Sequence, residues 1–205
     1  MAVSNLTIVQ GKTFTRVVRW EAPPFIYKAI TAITRAAPAV VTAVGHGVPN
    51  GWRVAVVSAQ GMTEINASSS PPKDKDYVKA TVLTTDTLEL NTVNSLEYSA
   101  YTSGGAIQYY TPVNMGGYTA RMQIKDKVGG TVLASTDIDD SPLNVITATI
   151  DNSLKTITLA ISATATAAFT WKKGVYDLEM VSGTGDVTAL LSGAIIVTPE
   201  VTTAT

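Results

Sequence analysis

The chain of 205 residues contains one histidine, His46, held between two glycines in Val44-Gly45-His46-Gly47-Val48. A histidine acting as general base or metal ligand needs partners, such as a second histidine, a cysteine or a carboxylate set at ligand spacing. Cysteine is absent, which rules out thiol nucleophiles, thiolate metal sites and disulfides. No serine sits in the Gly-x-Ser-x-Gly turn that presents a hydrolase nucleophile, so His46 is expected to cap turn carbonyls or to pack within its own module. Asp137-Ile138-Asp139-Asp140 offers carboxylates to calcium. It lacks the alternation, the glycine and the distal glutamate of a calcium loop, and a solvated loop is expected. Lys73-Asp74-Lys75-Asp76 alternates in sign and reads as a surface turn. Gly116-Gly117 and Gly183-Thr184-Gly185 lack the Gly-Lys-Ser/Thr of a phosphate loop. Trp20, Trp52 and Trp171, with Tyr98, Tyr101, Tyr109 and Tyr110, could stack on sugars or bases, but core or interface packing is the commoner use of aromatics at strand positions. No residue is assigned a catalytic, cofactor-binding or metal-binding role. A non-enzyme that needs no cofactor is expected.

The elements that would position any such group are strands. Hydrophobic residues make up 45% of the chain and charged residues 15%, well below the roughly 25% charge of an average soluble chain. That balance favours β structure with much buried or partner-covered surface. A formal net charge of −1 gives no electrostatic footprint for nucleic acid or an anionic membrane, and neither is expected as a partner. The opening residues lack the basic and apolar regions of a signal peptide. No run approaches the ~18 apolar residues of a membrane helix. A soluble product that folds where it is made is the expectation.

Period-two alternation dominates. Leu6 and Ile8 before the Gln10-Gly11 turn, then Phe14 to Trp20, predict two strands, with Arg16 spoiling the apolar face of the second. Ala22-Pro23-Pro24 is expected to break that strand, because proline cannot donate to the ladder. Residues 31–110 have their own turn grammar: Ala37-Pro38, Gly45-His46-Gly47, the tight-turn dipeptide Asn50-Gly51, a loop over 68–76, and strands near 77–84, 86–91 and 105–110. They read as a module inserted into a host domain. In the host, Tyr118, Ala120, Met122 and Ile124 alternate with Thr119, Arg121, Gln123 and Lys125, so one face covers a core and the other shows charge. Strands are expected near 131–135, 145–150 and 155–161, the last two joined at Asp151-Asn152-Ser153. Ser162 predicts the N-cap of a short alanine-rich helix, with Lys172 and Lys173 at its C-terminus and Gly174 closing it. Tyr176, Leu178 and Met180 should then face inward. Val187, Ala189, Leu191, Ile195 and Val197 should share one face of the final strand, with Gly193 a bulge or close-approach site.

The expected fold is all-β: an immunoglobulin-like antiparallel β-sandwich with one short helix, built from 1–30 and 111–205, carrying an inserted small β-barrel module over 31–110. Two resemblances add to this. The stretch from Ile30 to Ala67, with Pro38-Ala39-Val40-Val41-Thr42, the His46-Gly47 and Asn50-Gly51 turns and Gly61-Met62-Thr63-Glu64-Ile65-Asn66, followed by Thr85 to Leu90 and the closing Tyr101-Thr102-Ser103-Gly104-Gly105, resembles the small β-barrel known as the first catalytic-cysteine half-domain of ubiquitin-activating enzymes. That module recurs in bacteriophage virion proteins, and without the cysteine no ubiquitin chemistry carries over. The host part, from Gln10-Gly11-Lys12-Thr13-Phe14 through residues 117–130 and Val175-Tyr176-Asp177-Leu178-Glu179-Met180 to Pro199-Glu200-Val201-Thr202, is similar to N-terminal β-sandwich domains of upper baseplate proteins. The resemblance implies a structural virion protein of a tailed bacteriophage, made in the host bacterial cytoplasm and assembled through contacts with copies of itself and neighbouring virion proteins of the tail, baseplate or adaptor region. A head decoration or neck/collar protein is the first alternative, and a receptor- or carbohydrate-binding adhesin module the next. The expected contact regions are segments 1–6 and 199–205, loop 68–76, Arg121 and Lys125.

Overall fold

A computed structural model describes residues 1–137 and 141–201. The expected Asp139 and Asp140 of the acidic loop, and the tail beyond Val201, lie outside the described residues. In chain order the strands are β1 Ala2–Val3, β2 Leu6–Val9, β3 Phe14–Arg19, β4 Glu21–Ala29, β5 Ala32–Ile33, β6 Ala39–Thr42, β7 Arg53–Val57, β8 Val78–Val82, β9 Thr87–Leu90 and β10 Ala106–Pro112. They continue as β11 Thr119–Lys125, β12 Val132–Ser135, β13 Ile146–Asp151, β14 Thr156–Ile161, β15 Lys173–Val181 and β16 Val187–Thr198, with helix α1 Ala163–Ala167 between β14 and β15. The fold is all-β, as the alternation requires. None of the described helices is long and apolar enough to cross a membrane.

Two compact units divide the chain: Met1–Trp20 together with the chain from Asn114 onward, and Glu21–Val113. The first is a sandwich of two sheets. One runs β13-β14-β3 and the other β1-β16-β15-β11-β12, with β2 also paired to β16. In immunoglobulin lettering these are D-E-B facing G-F-C-C′, and the second unit interrupts the chain between B and C. The alternating strands supply the core directly. Met122 and Ile124 of β11, Leu178 and Met180 of β15, and Ile157, Leu159 and Ile161 of β14 are buried together with Leu6 and Ile8. The opening strands depart from a purely antiparallel plan. β1 and β2 both run parallel to β16, against Leu191–Ser192 and Ile195–Thr198 respectively. The chain kinks between them at Ser4-Asn5, where Ser4 N–H donates to Ser192 O and Asn5 Oδ1 accepts from Ala194 N–H. Gly193 lies under this kink: a Cβ there would stand 2.1 Å from Ser4 O. It is the close-approach site its register suggested.

The bulge of the last strand falls elsewhere. β15 pairs Leu178 with Leu191 and Glu179 with Ala189, so Leu190 is the extra residue. The inward register therefore changes there. Leu191, Ile195 and Val197 are buried, but Val187 and Ala189 are exposed rather than on the expected common face. The helix also stops early. Ser162 caps it as expected, its Oγ accepting from Ala165 N–H, but the helix ends at Ala167, and Lys173 and Gly174 belong to β15 rather than to its C-terminus. Gly174 is buried where a Cβ would meet the Lys125 carbonyl at 2.9 Å, so its missing side chain serves strand packing and not helix termination.

The second unit is a single seven-stranded sheet in the order β4-β10-β7-β8-β9-β6-β5. Its two edge strands, β4 and β5, are consecutive in the chain, so the sheet curls upon itself into a small barrel. Ile30 N–H donates to Gly105 O beyond β10's start, and the next residue, Thr31, donates to Thr42 O beside β6. One bent segment thus carries the backbone ladder from one side to the other. Trp52, Tyr109, Met62, Leu88, Leu90 and Ile107 fill the interior. The prolines do not break the strand here. β4 runs through Pro23-Pro24, and the register jumps from Tyr110↔Phe25 to Thr111↔Ala22, leaving both prolines in a bulge. Residues without N–H are tolerated where the ladder is interrupted. Because β4 pairs along all of β10, residues 21–30 and 111–113 belong to the barrel and not, as the sequence suggested, to the sandwich.

Candidate functional site

His46 is 2% exposed, and its ring is fully used inside the barrel. Nδ1 accepts from Val48 N–H at 3.0 Å, and Nε2 lies 3.1 Å from Thr84 O, which fixes the neutral tautomer with the proton on Nε2. Its carbonyl accepts from Tyr109 Oη. The ring spans a turn and a strand end and reaches no solvent. The Lys73–Asp76 turn is likewise a structural device. Asp76 accepts from Ser68 N–H, Ser68 Oγ–H and Lys73 N–H. These bonds to the charged form, that from Lys73 first, hold its carboxyl well below the usual carboxylate range. Among the described residues no group of three or more His, Asp or Glu side chains could hold a metal.

The expected stacking set is dispersed. Trp52 and Tyr109 are core residues, and Tyr101 Oη donates to Ile30 O and Gly104 O. In the sandwich, Trp20 packs edge-on to Tyr118 at 5.4 Å and Trp171 tilts onto Phe169 at 4.8 Å. A different aromatic group forms on the barrel wall. Phe25 and Tyr110 are 4.5 Å apart and Tyr77 lies 5.9 Å from Tyr110. Arg53 sits over both tyrosine rings at 5.4 and 5.7 Å, while its Nη2 donates to Glu21 Oε2 at 2.9 Å. Burial opposes the guanidinium charge, but Glu21 and then Asp74 outweigh it and raise the Arg53 pKa. Gln108, fully buried, donates to Tyr77 Oη. Burial, then repulsion from Tyr110, pushes the Tyr77 hydroxyl up to about 12. Phe25 and Tyr27 stand at period-two spacing on β4. The adjoining prolines mask that signal in the sequence, because proline ordinarily ends a strand.

The sandwich carries a polar site of its own. On the outer face of its larger sheet, Arg121, Gln123 and Lys125 of β11 stand opposite Glu179, Asp177 and Val175 of β15. One row is basic and the next acidic because each strand places every second residue outward. Arg121 Nε donates to Glu179 Oε2 at 2.7 Å, and this bond, followed by the charges of Asp137 and Asp177, raises the Arg121 pKa. Two hollows of about 260 and 460 Å³ share Gln123, Lys125 and Asp177 and so form one trough down the sheet. Its far end is apolar: Val175, Gly193 and two open walls, Val128 at 89% and Met1 at 75% exposure. The expected contact residues Arg121 and Lys125 therefore lie together here. Their acidic counterparts on β15 are visible in sequence only as outward positions. Segment 1–6 adds to the same sheet at its β16 edge. Nearby, β3 pairs on one side only, with β14, and exposes Thr15, Arg16 and Val17 at that sheet edge.

No protein-family model matches the chain, and no curated protein matches it at a significant level.

Proposed function

We propose that this chain is a structural protein of a tailed bacteriophage virion, joining the tail, baseplate or adaptor region through contacts with its own copies and with neighbouring virion proteins. The observation that carries this reading is the asymmetry of the sandwich. Among the described residues its buried side-chain polar atoms all have hydrogen-bond partners, while a sheet edge at β3 and a charged trough on its larger sheet stay open. An open strand edge offers main-chain donors and acceptors to an added strand. Low overall charge limits the desolvation cost of covering the rest. The sequence resemblance to baseplate sandwich domains and to a virion-associated barrel supports the tail side over a head decoration or neck/collar position. No catalytic role is assigned. The test is mass spectrometry of purified particles followed by imaging of the assembled tail. The polypeptide is expected at stoichiometric level in a ring of tail-associated copies. Its absence from particles overturns the reading, and density on the capsid surface moves it to the decoration alternative.

The aromatic wall of the barrel favours one second reading, a carbohydrate-binding adhesin module, since Tyr27 is exposed beside Tyr77 and Tyr110 and tyrosine rings stack on sugar faces. Glycan-array binding lost in the Tyr27→Ala, Tyr77→Ala double variant would establish it. An array with no signal removes it.

A further inference from the structure

We propose that the outer face of the β12-β11-β15-β16 sheet is a two-fold interface with a second copy of this chain. It rests on the assembly reading only in requiring that copies of the chain meet. Two rows of charge run along this face. β11 shows Arg121, Gln123 and Lys125, and β15 shows Glu179, Asp177 and Val175 in direct register. Consider a two-fold axis parallel to the strands and midway between these rows. It lays β11 of one copy over β15 of the other at the same height, because such an axis exchanges left and right and leaves position along the strands unchanged. Arg121 then faces Glu179 of the second copy, and Gln123 faces its Asp177. The two existing Arg121–Glu179 pairs, each 2.7 Å within its own copy, become an alternating ring of four charges.

Three features make this more than a solvated charged face. Lys125 and Asp177 both line the trough, yet neither is in an ion pair among the described residues. The axis sets Lys125 over Val175 and Gln123 over Asp177 of the second copy, so each of the two charges gains an opposite charge one step along the facing row. The apolar end is self-complementary in the same operation. Val128 rises from the turn between β11 and β12 and is almost wholly exposed. The axis carries it over β15 and β16 of the second copy, where Val175, Ser192 and Gly193 form a floor of small or apolar groups. Finally, the outward positions of β16 beside this floor, Ser192 and Ala194, carry short side chains that leave room for the Val128 of the second copy. Apolar contact at one end supplies attraction, and the charge rows fix the orientation.

Sedimentation of the full chain over a range of concentrations tests this, together with two variants. Asp177→Lys with Glu179→Lys makes the face wholly basic, and Arg121→Glu with Lys125→Glu makes it wholly acidic. The wild type is expected to shift from monomer to dimer with rising concentration and to weaken about tenfold when salt is raised enough to screen the rows. Each variant alone should stay monomeric. An equal mixture should recover the dimer, which also shows that both variants fold. Val128→Asp should abolish the wild-type dimer. A wild type that stays monomeric overturns the proposal, as does a variant that dimerises unaided or a mixture that does not associate. A monomeric chain that binds a different virion protein through this face also overturns it. A chain found in particles yet monomeric in solution sinks this interface and leaves the assembly reading standing. A dimer absent from particles does the reverse.

Discussion

The barrel and the sandwich bury similar kinds of residue but treat their margins differently. In the barrel, β4 and β5 lie on one continuous segment, which pairs with β10 through its first part and with β6 through its last. Its buried polar side chains also find partners within the unit: His46 serves Val48 and Thr84, Ser95 Oγ serves Ala36 and Thr34, and Gln108 serves Tyr77. Asn66 shows the economy of the design, since its amide accepts from Ala59 N–H and donates to Ala59 O as a neighbouring strand would. The sandwich instead has β3 paired on one side alone among the described strands and spreads two rows of opposite charge across its larger sheet. A unit whose buried polar groups bond one another is self-sufficient, whereas opposed rows of charge on an outer face leave bonding capacity for a neighbour.

The sharpest way to break this comparison is to attack the barrel's self-sufficiency. Trp52 is 1% exposed and is among its largest core side chains. Trp52→Ala should destabilise the barrel by about 3–5 kcal/mol. Amide exchange should then quicken at the barrel strands while the amides of β11 and β15 keep their protection, because the two units have separate cores. Equal loss in both would show that the sandwich depends on the barrel.

In the sandwich the comparable weak point is the parallel graft of β1 and β2 onto β16. Gly193→Val places a side chain in the Ser4 carbonyl and should cost about 1–3 kcal/mol. The Ser4 and Ala194 amides should lose exchange protection first, since the kink must lift away. Protection unchanged at both would show that the segment accommodates the side chain.

A smaller effect separates the barrel wall from its interior. The Tyr77 hydroxyl is pushed up to about 12 by burial and by Tyr110, against ~10 for an unfolded tyrosine. The folded state thus holds this proton longer than the unfolded one. The contribution is fully present below pH ~10 and fades as pH rises through the folded value. Tyrosinate absorbance of the wild type minus that of Tyr77→Phe should show a single step near the upper value. A step at the ordinary tyrosine position would mean that the wall is solvated.

The smallest expected effect concerns loop 68–76. Asp76 titrates well below other carboxylates because its hydrogen bonds favour the charged form. The loop's closure is present above the ordinary aspartate pKa and is lost only as pH falls through the depressed folded value. The Ser68 and Lys73 amide shifts should hold steady through mild acid in the wild type, and Asp76→Ala should release both at neutral pH.

Much of this was readable in the chain. Strict alternation in Tyr176, Leu178 and Met180, and in Met122 and Ile124, gave the inward faces, because a strand cannot turn one side chain without turning them all. Ser162 gave the helix start, and the lone His46 between glycines gave a structural turn. Other readings failed for physical reasons. Pro23-Pro24 looked like a stop, but a bulge opposite Tyr110 and Thr111 let the strand continue. Lys172 to Gly174 looked like a helix end, but pairing with β16 drew Lys173 and Gly174 into β15. Val187 and Ala189 left the expected face once Leu190 became the extra residue.

What the sequence determined by itself is which side of each strand is greasy and where the chain turns, since both follow from side-chain type and backbone chemistry within a few residues. What only the tertiary structure decided is which strands become neighbours. Pairing joined β4 to β10 and moved the unit boundary to Glu21. It set the basic row of β11 beside the acidic row of β15, and it brought Phe25, Tyr77 and Tyr110 together around Arg53. Those groups are far apart along the chain, and the backbone hydrogen bonds that unite them carry no residue-type signature.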